Sequence, residues 1–161
     1  MPKIGTENDN SAEMLTHQLA GGNFSFTAQR LDRLGATEYT LVSIVVDVTG
    51  STIGFEDALH TALVTAIKSC KKSPRSENLL VRVVMFSTVY GVQEIHGFKS
   101  LSDINPDADY KPFRPSGGTP LFDAVYSAIA ATKEYGEQLS NNDYSCNAIV
   151  FIITDGDDTS S

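Results

Sequence analysis

The sequence predicts an α/β fold with a mostly parallel central sheet, one antiparallel edge strand and helices on both faces. Apolar, β-branched runs alternate along the chain with segments of helical periodicity, which is typical of parallel strands joined by crossover helices. One link between two strands is too short for a crossover and predicts a hairpin. Right-handed crossovers then place the first and last of these strands beside the point where the strand order reverses.

The first 38 residues are polar and mixed, and we assign them to a partly disordered N-terminal extension that precedes a domain over residues 39–161. Within the extension, residues 11–19 are compatible with a short helix. Residues 24–27 alternate between aromatic and polar side chains, which predicts a short edge strand.

The central pattern begins with TLVSIVVD at residues 40–47, a β-branched run that predicts a strand buried on both faces. Residues 53–70 carry apolar side chains at helical spacing and predict an amphipathic helix. Residues 79–88 and 90–98 predict two strands of a hairpin, the second of them antiparallel at the sheet edge.

The last part of the pattern contains a long loop, a helix and a strand. The loop at residues 99–118 must return to the other end of the sheet, which explains its length. Thr119 and Pro120 predict the N-cap and first position of the helix. Its expected inner face consists of Leu121, Val125, Ala128, Ile129 and Thr132. Residues 147–154 predict a second strand buried on both faces.

Composition excludes several classes of function. The 161 residues include 20 acidic and 12 basic side chains, a formal net charge of −8, which argues against a nucleic-acid partner. No apolar run is long enough to span a bilayer, and the N-terminus does not resemble a signal peptide. We therefore expect a cytoplasmic protein without a membrane partner.

Cysteines and histidines suggest no site of their own. Cys70 and Cys146 lie in apolar patterns far apart in sequence, which favours two buried thiols over a disulfide or a metal pair. The histidines are scattered, and each is expected to be an ordinary surface or helix residue.

Three polar clusters fall where the predicted topology brings one edge of the sheet together. They are Asp-Val-Thr-Gly-Ser at 47–51, Gly-Gly-Thr-Pro at 117–120 and Thr-Asp-Gly-Asp-Asp at 154–158. Each alone is a common turn or helix start. Their joint position at the carboxyl ends of the strands, where open α/β sheets bind ligands, predicts a single site.

The residue types in these clusters suit a hard divalent cation. Two carboxylates and three hydroxyls form an all-oxygen donor set, which favours Mg²⁺ first and then Mn²⁺ or Ca²⁺. Neutral hydroxyl donors leave the cation short of negative charge, so an open position attracts an acidic group from outside. The predicted metal ligands are Asp47, Thr49, Ser51, Thr119 and Asp155.

In order and spacing, the three clusters resemble the metal ion-dependent adhesion site of von Willebrand factor A domains, which have a Rossmann-like fold. FRPSGGTPLFDAV and FIITDGDD resemble the bacterial and phage subgroup linked to tellurite resistance. The resemblance implies direct metal contact for Thr49, Ser51 and Thr119, and contact through water for Asp47 and Asp155. Thr49 stands where the family pattern has Ser, and it keeps the hydroxyl.

The family normally continues with further helices and two more strands, and this sequence stops at Ser161. The last strand would then be an apolar edge, which is a hazard for aggregation. We expect another chain, an exchanged element or a separated piece of the same protein to complete the sheet. A truncated fragment is the alternative interpretation.

The expected function is a non-enzymatic, divalent-metal-dependent module that captures an acidic side chain of a partner protein. One alternative is a magnesium-dependent hydrolase or phosphatase, since a strand followed by Asp resembles haloacid dehalogenase-type phosphatases. Those enzymes need a second Asp two residues later, where this chain has Thr49. Another alternative is a structural assembly subunit with a stabilising metal. No phosphate-binding loop of the GxxxxGK[ST] type is present.

Overall fold

The computed structural model describes residues 14–19, 24–48, 54, 56–87, 91–113, 117 and 121–154. Within these residues the strands are β1 (Met14–Gln18), β2 (Ser25–Gln29), β3 (Glu38–Asp47), β4 (Leu79–Ser87), β5 (Gly91–Ser100) and β6 (Ser145–Ile153). The α-helices are α1 (Glu56–Lys72), the short α2 (Pro106–Asp109) and α3 (Leu121–Asn141). Single 3-10 turns lie at Leu31–Arg33, Ser76–Asn78 and Leu101–Asp103.

The strands form one mixed sheet in the order β1-β2-β5-β4-β3-β6. Strand β3 is parallel to both β4 and β6, and β2 is parallel to β5. The pairs β1–β2 and β4–β5 are antiparallel. The prediction of a Rossmann-like, mostly parallel sheet with an antiparallel edge strand was therefore wrong, because β5 lies inside the sheet.

The N-terminal hairpin is the reason for this difference. Strand β1 occupies residues for which a short helix was expected, and β2 extends the strand predicted at residues 24–27. Phe26 and Ala28 of β2 are 1% and 0% exposed, so the hairpin contributes to the core. The ring of Phe26 packs edge-on against Phe98 of β5 and Tyr135 of α3. Burial of these aromatic side chains favours the added strands over an open β5 edge.

Strand β3 lies between β4 and the edge strand β6 and is buried on both faces, as its apolar run predicts. Val42, Ile44 and Val46 belong to the cluster that includes Leu63 and Ile67 of α1. The alternate side chains face α3, with Leu41 packed in one cluster and Val45 in another. Helices α1 and α3 therefore cover opposite faces of the sheet.

Helix α3 buries Ala128 and Thr132 of its predicted inner face, and Leu121 and Val125 are partly buried. Its fully buried apolar residues are Ala124, Ala128, Ala131, Tyr135 and Leu139. The alanines allow the helix to approach β3 closely, and the buried hydroxyls of Ser43 and Thr132 meet at 2.8 Å across this contact. Ile129, which was expected to face inwards, is 53% exposed.

The segment after β5 is more ordered than the predicted loop at residues 99–118. The side chain of Asn105 caps α2 by accepting a hydrogen bond from the backbone N–H of Asp107 at 3.2 Å. Pro106 occupies the first turn of this helix, where a missing N–H costs nothing. Burial of Ile104 and Tyr110 anchors the segment against the α1 side of the sheet.

Candidate functional site

The carboxyl ends of β3 and β6 meet at one edge of the sheet. The two strands are parallel, and their last paired residues are Val46 and Ile153. Asp47 and Thr154 therefore follow at equivalent positions of neighbouring strands. This register brings together one residue from the first predicted polar cluster and one from the third.

Asp47 is a buried carboxylate at this edge. Its side chain is 0% exposed, and the hydroxyl of Thr154 donates a hydrogen bond to its Oδ2 atom at 2.9 Å. A buried carboxylate needs polar neighbours to offset the loss of hydration, and the hydroxyl of Thr154 is one such neighbour.

A second hydroxyl-bearing residue ends β4, the strand on the other side of β3. Asp47 pairs with Phe86 of β4, and Ser87 follows as the last residue of that strand with 0% exposure. The backbone N–H of Val48 donates to the carbonyl oxygen of Phe86 at 3.1 Å, which extends the pairing past the strand end. The edge thus carries three polar residues, Ser87, Asp47 and Thr154, on three adjacent parallel strands.

Four of the five predicted metal ligands, Thr49, Ser51, Thr119 and Asp155, lie outside the described residues. The structure places Asp47 at the expected edge and adds Thr154 and Ser87, which were not predicted as ligands. Thr154 belongs to the third predicted cluster and Ser87 lies at the end of a predicted strand, but neither was assigned as a ligand.

An apolar pocket opens beside this edge on the α1 side of the sheet. It has a volume of about 450 Å³ and is lined by Val48, Met85, Ile95, Asp109, Lys111, Pro112 and Phe113. Val48 directly follows Asp47, so the pocket and the buried carboxylate are neighbours along the chain. The segment after α2 forms the outer wall of this pocket.

Two histidines hold that wall in place: His60 lies on helix α1, whereas His96 lies on β5, contrary to the expectation of a surface or helix residue. The Nε2 atom of His60 lies 2.6 Å from the carbonyl oxygen of Tyr110, and this contact requires the Nε2–H tautomer. The Nδ1 atom of His96 lies 3.0 Å from the carbonyl oxygen of Gly97, and its Nε2 atom lies 2.6 Å from the hydroxyl of Tyr110. Burial is the main cause that lowers the pKa of His96 to about 4.

The edge strand β6 and the neighbouring helix α3 carry exposed apolar side chains. Strand β6 ends the strand order next to β3, and its Ile149, Phe151 and Ile152 are 45%, 52% and 38% exposed. On α3, Phe122 and Tyr126 are 74% and 62% exposed. Exposed apolar surface of this extent is typical of interaction sites.

No protein-family model and no curated protein matches the sequence. Among solved structures, the chain is similar to the pilus adhesin SpaC from Lactobacillus rhamnosus GG in its open conformation, with a TM-score of 0.55 and 17% sequence identity. The likeness covers 84% of this chain and 16% of the adhesin chain, so this chain spans a small part of that protein's length. At this identity the likeness shows the fold alone. Along the residues that the structure describes, no helix is both long and apolar enough to cross a membrane.

These findings contradict the assignment to the von Willebrand factor A family. No model of any family matches, and the similar structure is described as a pilus adhesin. In the described part of the chain, no group of three or more His, Cys, Asp and Glu side chains is placed to hold a metal ion. We therefore withdraw the family, its tellurite-resistance subgroup and its metal ion-dependent adhesion site. The physical reason is that Asp-x-Thr-Gly-Ser, Gly-Gly-Thr-Pro and Asp-Gly-Asp also satisfy ordinary turns and helix caps.

Proposed function

We propose that this protein is a non-enzymatic binding module that captures an acidic side chain of a partner protein through a divalent cation beside Asp47. The proposal rests on the chemistry of this sheet edge and not on membership of a family. The observation that carries it is the complete burial of the Asp47 carboxylate at the end of β3, where the hydroxyl of Thr154 at the end of β6 donates a hydrogen bond to it at 2.9 Å.

The oxygen donors at this edge match the preference of a hard cation. Removing a carboxylate from water is costly, and a bound cation would offset that cost more strongly than a neutral hydroxyl. Carboxylate and hydroxyl oxygens favour Mg²⁺, with Mn²⁺ and Ca²⁺ next, over metals that prefer nitrogen or sulfur.

The remaining donors in the proposal adjoin this edge in sequence. Thr49 and Ser51 follow β3, and Asp155 follows Thr154. Thr119 precedes the first residue of α3 by two positions. Three of the five donors are neutral hydroxyls, and an external carboxylate is the ligand that we expect at an open coordination position of the cation.

Calorimetric titration of the full chain with Mg²⁺ and with Mn²⁺ tests the cation site. We expect binding by the wild type and a loss of at least about tenfold in affinity for Asp47→Asn, since one charge-bearing ligand is removed. Asp103→Asn is the matched control. Asp103 is exposed in the turn after β5, which lies at the amino ends of β3 and β4, away from Asp47. Equal cation affinity in wild type and Asp47→Asn would contradict the proposal.

Capture of an acidic group is tested with a pair of short peptides that differ by one Glu→Gln change. The Glu peptide is expected to bind only when Mg²⁺ is present, and the Gln peptide is expected not to bind. Binding of both peptides, or binding of the Glu peptide in excess chelator, would rule out a cation-bridged carboxylate. Turnover of generic phosphate esters that disappears in Asp47→Asn would instead indicate the hydrolase alternative.

A structural assembly subunit is the second candidate, favoured by the exposed apolar side chains of β6 and α3. In that case Mg²⁺ would raise the melting temperature through binding to the folded state, while neither peptide would bind. The cytoplasmic location and the domain boundary after residue 38 stay predictions. The hairpin β1–β2 nevertheless shares the sheet with the rest of the described chain.

A further inference from the structure

The open edge of β6 lacks the usual protection of an edge strand. Along the described residues, β6 pairs with β3 on one side and ends the strand order on the other. Natural edge strands commonly carry charged residues, proline or bulges that prevent pairing with another chain. The nine residues SCNAIVFII of β6 contain no charge and no proline, and their pairing with β3 is regular from Ser145 to Ile153.

Helix α3 adds an apolar stripe next to this edge. Phe122, Tyr126 and Ile129 are spaced three and four positions apart, so they share one face of the helix. All three are more than half exposed, at 74%, 62% and 53%. A groove of about 420 Å³ lies between this helix and β6, and its lining includes Ile129, Ala148 and Val150.

We propose that two copies of this chain pair through β6, antiparallel and about a two-fold axis at Ile149. A two-fold axis perpendicular to the sheet makes two identical edge strands antiparallel and the interface self-complementary. With Ile149 at the centre of the nine-residue strand, Ala148 lies opposite Val150 of the second copy. The pairing is uncharged along its whole length, so the acidic excess of the chain does not oppose it locally.

The position of α3 makes a second copy a better occupant than an isolated strand. Helix α3 packs against both β3 and β6, so its axis lies above the boundary between these two strands. Neighbouring strands lie about 4.8 Å apart, so two copies joined at β6 would hold their α3 helices about 10 Å apart, the ordinary distance between packed helices. The apolar stripe of each copy would then pack against the α3 helix of the other, and the groove would be closed.

The charges at the rim of the groove agree with this arrangement. Lys133 and Glu137 lie one turn apart on α3, with Nζ and Oε1 3.9 Å apart and both side chains exposed. Since the two α3 helices would run antiparallel, the lysine of each copy faces towards the glutamate of the other. Complementary rim charges favour this register over shifted ones.

The mass of the full chain in solution, measured by light scattering after size-exclusion chromatography, tests the proposal. With chelator present, so that the result is independent of the cation site, the wild type is expected at twice 17.4 kDa. Ile149→Lys places a charge at the centre of the strand pair, and Tyr126→Lys places one on the α3 stripe. Both variants are expected at half the wild-type mass with an unchanged circular dichroism spectrum.

Leu15→Lys is the matched control, because Leu15 is 49% exposed on β1 at the other edge of the same sheet. This variant is expected to keep the doubled mass. A wild type of single mass, or a doubled mass in Ile149→Lys and Tyr126→Lys, would overturn the proposal. A doubled mass that is lost only in Leu15→Lys would assign the contact to the opposite edge and overturn it as well.

Discussion

The Nε atom of Arg82 donates a hydrogen bond to Oε2 of Glu94 at 2.6 Å inside the sheet. The side chains of Arg82 and Glu94 are 2% and 18% exposed. The same carboxylate accepts from the backbone N–H of Thr27 at 3.0 Å and from its hydroxyl at 2.6 Å. One carboxylate on β5 therefore ties the N-terminal hairpin to the central strand β4.

Loss of this carboxylate should strongly destabilise the fold. In Glu94→Leu, the guanidinium of Arg82 would stay buried without its counter-charge, which costs about 3–5 kcal/mol in comparable pairs. The free energy of unfolding, measured in urea by circular dichroism, is expected to fall by that amount. An unchanged unfolding midpoint would show that the pair contributes nothing to stability.

The double variant Arg82→Met/Glu94→Leu should recover the part of this loss that comes from the unpaired guanidinium, although Thr27 still lacks its acceptor. Within the described residues, the Nη1 atom of Arg82 is buried without a hydrogen-bond acceptor, so the wild-type pair already carries an unsatisfied donor. Replacing both charges with apolar groups removes the desolvation cost. A double variant as unstable as Glu94→Leu alone would contradict this account.

The contact between β2 and β5 depends on Gly97. A methyl group at this position would collide with the backbone carbonyl and the hydroxyl of Thr27. Gly97→Ala is therefore expected to lower the free energy of unfolding by about 1–3 kcal/mol through overpacking. Gly35→Ala is the control, because a methyl group there would meet nothing within 4 Å and should change stability little. Equal urea midpoints for the two variants would contradict the predicted contact.

Burial of His96 predicts that stability falls in mild acid. Its pKa is about 4 in the fold, against 6.5 for an ordinary histidine, and burial is the main cause. As the pH falls from about 6.5 to 4, the unfolded chain takes up a proton that the folded chain does not, so the fold loses up to about 3 kcal/mol. The contribution is fully present above pH 6.5, and below pH 4 no further loss comes from this residue.

Urea unfolding of wild type and His96→Gln across this pH range checks the effect. Glutamine keeps a hydrogen-bonding side chain but does not titrate, so the variant should show a smaller loss of stability between pH 7 and pH 4. Parallel pH profiles for the two proteins would show that His96 is not the titrating group.

The sequence predicted the elements that its local patterns determine. The run at residues 40–47 became strand β3, and the spacing of Leu63 and Ile67 marked the buried face of α1. Asp47 was placed at the carboxyl edge because a buried strand ends there. These inferences needed only periodicity and the direction of parallel strands.

The features that the sequence did not predict depend on long-range contacts. Strand β1 was expected to be a short helix, and its pairing with β2 and the contacts of His17 with Phe26 and Tyr135 favour a strand instead. On α3 only Ile129 was placed wrongly, because alanines such as Ala124 and Ala131 lie against the sheet and Ile129 is 53% exposed. The buried pair of Arg82 and Glu94 joins two strands by a hydrogen bond, which no periodicity reveals.

Paramagnetic broadening by Mn²⁺ in the NMR spectrum of the ¹⁵N-labelled chain tests the central claim most directly. A cation beside Asp47 should broaden the amide signals of Val48 and Thr154 first and leave those of Leu79 and Ser145, at the opposite ends of β4 and β6, sharp. In Asp47→Asn this selective broadening should disappear. Broadening that is uniform, or that centres on the exposed acids of α2 and persists in Asp47→Asn, would contradict the cation site.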